Sequence, residues 1–324
     1  MKAYIMMAAA WSLLLMGCEK EKKSSVDELI GMNVQYVQKE NAAAMLGKED
    51  SGTARWTQFD IDSRLGKQEG TKKELLDMAV QQACDWTPEE QLFMDSVVED
   101  VNAVIRKDSL RLPLPEHVRL LKTTMKEEGG AGGYTRDNYI VLFDRIGAVS
   151  KQSASRLLAH EMFHVLTRNN PGFREKMYAL IGFKMLPQEV ELPDDFSQRL
   201  ITNPDILRRD SYATFLINGK ETDCTMFIYT SKPYEGGDFF SYIKVGLVEI
   251  DRNTCKAVTK NGKVVLHELD EATDFYDKVG RNTNYVFDPE EILAENFSLM
   301  FVGGKTLNTP ELVEKMKDIC QGKR

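Results

Sequence analysis

The stretch from Ser150 to Arg168 reads as the strongest helix in the chain, and it sets a constraint that any fold must satisfy. Leu157, Leu158, Met162, Phe163, Val165 and Leu166 make it apolar on most sides, so it belongs inside the molecule. Yet His160, Glu161 and His164 stand in the middle of that run. An acid and two imidazoles are costly to bury without partners. Two of the chain's four histidines bracket this one glutamate, and their neighbours leave no solvated face to hold them. Residues four apart project from one side of a helix, so both imidazoles can reach a single metal ion. Zinc suits such a donor set, because imidazole and carboxylate ligands bind a borderline ion and leave one position open for water. Glu161 sits one step round from His160, near enough to take a proton from that water.

The chain around this helix is long enough, at 324 residues, to bury a full core. Charged residues at 28% and hydrophobic residues at 42% are an ordinary globular balance. A formal charge of −8 leaves no basic footprint, so nucleic acid is excluded as a partner.

Residues 1–17 are of a different material. Lys2 supplies a short positive start, and Ile5 to Met16 is apolar except for Ser12, too short for a comfortable membrane span and better read as a secretory signal. Gly17 before Cys18 resembles the lipobox of bacterial lipoproteins, which implies a lipid on Cys18, a membrane contact through it and a place in the cell envelope. Residues 18–25 then form a charged tether. Of the remaining cysteines, Cys84, Cys224, Cys255 and Cys320, none has metal-binding Cys-x-x-Cys spacing. Cys224 and Cys255, in neighbouring strand-like segments, are the first expected disulfide pair.

Residues 26–324 read as one α+β domain, mostly helical. Its N-terminal part, 26–110, should hold helices over Val26–Leu46, Lys72–Cys84 and Pro88–Lys107. The last starts at a Thr87 cap with Pro88 and two acids in its first turn, and places Leu92, Val97, Val101 and Ile105 on one face. After the glycines at 129, 130, 132 and 133, Tyr139–Phe143 has the content of a strand. A helix over Phe173–Ile181 should follow the central one. A β-rich insertion, about 212–267, should contain strands over Thr214–Ile217, Thr225–Tyr229 and Tyr242–Ile250, with a turn at Asn218-Gly219. Helices over Pro289–Phe301 and Thr309–Cys320 complete the chain.

His160-Glu161-Met162-Phe163-His164 is the His-Glu-x-x-His arrangement of zinc peptidases. Downstream, Asp288 to Phe297 resembles the second metal-binding helix of gluzincins, and Glu291, Ala294 and Glu295 match the Glu-x-x-Ala-Glu form of lethal-factor-like toxin peptidases. The resemblance implies a zincin-like fold and one zinc per chain, held by His160, His164 and Glu291, with Glu295 supporting a ligating imidazole. It implies hydrolysis of peptide or protein substrates, with Glu161 as general base and Tyr285 aiding the oxyanion; Tyr276 and His267 are weaker choices for that role. In the same family an edge strand ahead of the metal helix pairs with substrate, and residues 133–142 stand in its place. Glu290 is the nearest rival ligand, but it points about 100° away from Glu291 round the helix. Glu189, Glu191, Asp194 and Asp195 are closer to His164 in sequence, yet none sits on a helix with a following support acid. Glu291 lies 127 positions after His164 (291 − 164), a distance the β-rich insertion would account for. His117 has no constellation around it. Two other readings remain: a metal-containing binding lipoprotein without turnover, against which the intact Glu161 argues, and an envelope structural or glycan-binding protein using Tyr229, Tyr234, Phe239, Phe240 and Tyr242.

Overall fold

A buried helix needs other elements to cover it, and a computed structural model shows which ones do. It describes residues 31–304 and 306–323; the expected signal segment 1–17, Cys18 and the tether 18–25 lie outside the described residues. The first half runs β1 (Val34–Tyr36), α1 (Lys39–Leu46), α2 (Gln58–Leu65), α3 (Lys72–Gln82), β2 (Ala83–Cys84), α4 (Pro88–Lys107), β3 (Val118–Thr123), β4 (Gly133–Arg136) and β5 (Tyr139–Phe143). Then come α5 (Lys151–Asn169), α6 (Pro171–Leu180), β6 (Lys184–Met185), α7 (Asp194–Ser197), β7 (Ser211–Ile217), β8 (Lys220–Tyr229) and β9 (Lys244–Asp251). The short strands β10 (Lys256–Ala257), β11 (Thr259–Lys260), β12 (Lys263–Val264) and β13 (Leu266–His267) lead into α8 (Phe275–Val279), α9 (Pro289–Ser298) and α10 (Pro310–Cys320). The chain is a mixture of helix and strand, as expected.

Local chemistry explains the main elements and two departures. Thr87 caps α4 through a reciprocal pair with Glu90, each side chain accepting the other's backbone N–H. The buried face of α4 is Met94, Val97, Val98, Val101 and Ile105, while Leu92 is 69% exposed. Five steps of about 100° put Leu92 about 140° round from Val97, so it cannot share that face. Of the helix expected over 26–46, residues 26–30 lie outside the described residues, 31–38 are not helical, and α1 begins at Lys39. Val34 and Tyr36 point the same way from a strand and pack on the main core, in parallel register with Val118 and Leu120 of β3.

The first sheet has the order β1-β3-β5-β4, with β2 also on β3. Strands β1, β3 and β5 are parallel; β4 runs antiparallel to β5 and forms an edge. Residues 133–142, expected as one strand-like segment, therefore make a hairpin, turned at Asp137-Asn138 with Asp137 at φ 46°. Helix α5 lies against α4, α6, α9, β4 and β5. Its Leu158, Met162, Phe163, Val165 and Leu166 are fully buried there.

The insertion is an antiparallel sheet of order β10-β9-β8-β7-β6 with β13 on β9. Asn218 and Gly219, at φ 51° and 77°, make the tight β7–β8 turn. One face of this sheet, including Phe215, Cys224 and Met226, joins the core of α5. Phe227, Tyr229, Val248 and Cys255 belong to a separate cluster. The expected Cys224–Cys255 disulfide is thus corrected: the two thiols sit in different apolar clusters, and Cys84, Cys224, Cys255 and Cys320 are all free.

Candidate metal centre

Asp288 caps α9 by accepting the Glu290 N–H, and Pro289 fixes the first turn, which sets the acids that follow against α5. Glu291 Oε2 lies 3.1 Å from His160 Nε2 and 3.8 Å from His164 Nε2. Ligand atoms of these three residues fall within 4.8 Å of one another. One helical turn on, Glu295 Oε1 is 3.3 Å from His160 Nδ1, and its other oxygen takes Arg156 at 2.6 Å. A proton on Nδ1 shared with Glu295 leaves the Nε2 lone pair free and makes it more basic.

His164 is held in the same way by a residue weighed beforehand only as a rival ligand. Its Nδ1 lies 3.1 Å from Glu290 Oε1. Glu290 also accepts the hydroxyls of Tyr178, at 2.7 Å, and Thr167. The 100° rotation that turns Glu290 away from the metal position turns it toward the far side of the second imidazole. His164 Nε2 is left buried with no hydrogen-bond partner. Buried polar atoms rarely go unpaired, and a ring nitrogen facing a carboxylate across 3.8 Å fits a bridging cation. The donor set of two imidazoles and one carboxylate matches zinc.

Edge strand β4 lies beside Glu161. Thr135 donates its hydroxyl to Glu161 Oε2 at 2.9 Å. A Cβ at Gly133 would come within 2.9 Å of Glu161 Oε1, so a glycine is what lets the strand approach so closely. On the free edge, Thr135 N–H donates to Asp205 Oδ1 at 2.6 Å, and Thr135 C=O accepts from Arg168 at 3.2 Å. Asn203 donates its amide to Glu291 Oε1. The segment bearing Asn203 and Asp205 is anchored where Thr202 N–H meets Asp60 at 2.9 Å and Arg64 meets Thr202 C=O at 2.8 Å. Arg64 is itself buried between Asp60 and Glu128, each at 2.8 Å.

Charge here is tightly linked. Burial opposes a proton on His160, but its hydrogen bonds to Glu291 and Glu295 outweigh it and hold the ring well above the usual histidine range. Burial likewise opposes His164, and Asp205 and Glu290 raise it to about 9. Burial pushes Glu161 up, with both imidazoles pulling against it. Burial and then the Glu161 charge push Asp205 well up. For Glu291, burial is outweighed by His160 and His164, so its carboxyl stays low. Positive charge is favoured at this point, and a metal ion held there would compete with the ring protons.

The cluster opens into a cleft of about 560 Å³ whose walls include Gly133, Leu157, His160, Glu161, Phe240 and Tyr285. Tyr285 is 43% exposed, with its ring centroid 6.3 Å from that of His160. The Glu291 charge and then burial raise its phenol well above the usual range, so it remains a proton donor. Tyr276 packs on Phe275 and Arg281, and His267 lies between Glu249 and Glu271; neither lines the cleft. His117 is at the surface beside Glu116. Glu189 pairs with Arg55, Glu191 with Lys256, and Asp194 and Asp195 open α7; none joins the ligand cluster. Absent from the sequence expectations are the contacts of Glu290 with His164 and of Thr135 with Glu161, and any part for Asn203 and Asp205. Comparison of the chain with protein-family models, with curated proteins and with solved structures finds no match.

Proposed function

We propose that the chain is a zinc-dependent peptidase of the gluzincin kind, with a zincin-like fold, exported and anchored through a lipid on Cys18. The observation that carries this reading is the buried, unpartnered Nε2 of His164 facing Glu291, with His160 Nε2 on the same carboxylate oxygen. His160, His164 and Glu291 would hold the metal, with Glu295 and Glu290 fixing the two rings. The antiparallel edge strand β4 beside α5, and α9 crossing it with the third ligand, support the fold assignment. The anchor and the envelope location rest on the sequence around Cys18 alone.

Zinc, when bound, supplies a Lewis acid that polarises the scissile carbonyl and makes water easier to deprotonate. Glu161, oriented by the Thr135 hydroxyl, takes a proton from the attacking water and passes it to the departing amine. Tyr285, at the mouth of the cleft, donates its phenolic proton in a hydrogen bond to the carbonyl oxygen as negative charge builds there. Gly133 leaves room for a substrate chain to lie beside the base.

Metal analysis of the purified protein tests the reading. About one zinc per chain is expected, falling to near none in His160→Ala and Glu291→Ala. Glu161→Gln should keep the zinc and lose peptide cleavage. Protein that takes up no zinc after incubation with it would remove the basis of the proposal.

A further inference from the structure

We infer that the site takes the free amino terminus of a peptide, with Asp205 receiving the α-ammonium where the β4 edge is closed. The inference deepens the proposed function and rests on it for the reaction. Its first support is the state of the β4 edge. Successive residues of a strand alternate, so Gly133 and Thr135 face the same side. Thr135 is closed there, its N–H on Asp205 Oδ1 at 2.6 Å and its C=O on Arg168. Gly133 lines the cleft. A substrate strand can therefore lie along Gly133 but cannot continue past Thr135.

The closure is a built feature. Arg168 also donates to Pro204 C=O at 2.9 Å, and Asp60 and Arg64 hold Thr202. Direction gives the second support. Strand β4 runs from Gly133 toward the closed end, so an antiparallel partner begins at that end with its amino terminus.

The third support is chemical. Ligand atoms of Asp205, Glu161 and His164 lie within 4.8 Å of one another, beside the unpartnered His164 Nε2. Asp205 Oδ2 has no hydrogen-bond donor among the described residues. Arg168, the nearby cation, is spent on backbone carbonyls. Carboxyl oxygens at that end accept from an ammonium and repel a carboxylate, which selects the amino end over the carboxyl end. The α-ammonium neighbours the first carbonyl of a peptide, so an Asp205 this close to the metal position directs cleavage to the first peptide bond. Water adds hydroxide to that carbonyl carbon, the C–N bond breaks, and the proton taken by Glu161 goes to the leaving amine. The products are one amino acid and a shortened peptide. A cavity of about 90 Å³ bordered by Asp205 and Gly133, with Ile201, Ile228, Phe239 and Phe287 in its walls, receives the first side chain and favours an apolar one.

The test uses zinc-loaded Glu161→Gln protein and one peptide starting with leucine, either free or N-acetylated. Calorimetry should give a Kd about tenfold or more tighter for the free peptide. Adding Asp205→Asn, which keeps an acceptor for Thr135 N–H, should bring the free peptide to the affinity of the acetylated one. Wild-type protein should release single amino acids from the free peptide and leave the acetylated one intact. Equal affinity for the two peptides, binding of neither, or internal cleavage of the acetylated one overturns the inference while leaving zinc and hydrolysis to be judged separately. A free-amine preference without turnover in the wild type upholds this inference and counts against the peptidase reading instead.

Discussion

Glu290→Gln isolates the support behind the second imidazole. Oxygen Oε1 of Glu290 accepts from His164 Nδ1 and Thr167, and Oε2 accepts from Tyr178. An amide can keep its oxygen on His164 and turn its NH2 toward Tyr178, whose hydroxyl oxygen also accepts. Shape is preserved; what changes is that a neutral acceptor, about half as strong, replaces a charged one. His164 Nε2 would then be a weaker donor to the metal of the proposed function. Loss of such support costs about 10- to 100-fold in metal affinity, or about 1.4–2.8 kcal/mol. Stripped of metal, the variant should unfold in urea within about 1 kcal/mol of the wild type. Glu290→Ala is the harsher companion, since it leaves three buried donors unpaired and should cost at least about 3 kcal/mol of folding stability. Zinc affinity is measured by competition against a chelator of known strength. Unchanged affinity in both variants would refute the claim that Glu290 fixes the His164 ring.

Thr135→Val removes the hydroxyl that orients Glu161, a bond to a charged group worth about 1.5–3 kcal/mol; kcat should drop about 10- to 150-fold with zinc retained, and a change confined to KM would contradict the assignment. Arg64→Met strands the buried Asp60 and Glu128 carboxylates and should cost about 3–5 kcal/mol in urea unfolding, so a loss under about 1 kcal/mol would show that water reaches them. Glu127 is pushed by burial from 4.5 to about 7, although hydrogen bonding, that of the Tyr134 hydroxyl among it, pulls the other way. Between those values the folded chain holds a proton that the unfolded chain has released, so stability falls as pH rises through the window, by about 3 kcal/mol in all. In Glu127→Gln that part of the slope should vanish from urea midpoints taken between pH 4.5 and 7; an unaltered profile would assign the slope to other groups.

The parts of the site that could be read from the sequence are those on regular helices. His160 and His164 are one helical turn apart, so their spacing alone puts both rings on one side of α5, and Glu291 and Glu295 repeat that spacing on α9. The role of Glu290 does not follow from its rotation away from the metal position, because what it serves is the far nitrogen of His164, which also needs an acceptor. Asn203 and Asp205 sit on irregular backbone, where no periodicity marks a direction, and their contacts span 88 and 70 positions. Thr135 needed the hairpin to be recognised first. The first sheet was hard to foresee for a similar reason: β1 has three residues, and its parallel pairing with β3 joins Val34 to Val118. The insertion strands were legible because Asn218-Gly219 demands a tight turn between alternating runs. Sequence proximity of strand-like segments did not settle which cysteines meet, because Cys224 and Cys255 enter different apolar clusters.

Closing β4 at Thr135 also affects how copies of this chain meet one another. An edge strand with a row of unpaired N–H and C=O groups is a template on which a second molecule can add its own strand, and from there aggregate. β4 is only four residues long, and Asp205 and Arg168 already occupy the Thr135 groups. What stays open is the stretch at Gly133, too short to seed intermolecular sheet growth. The side chains that close the strand at Thr135 thus also remove a template for pairing between copies.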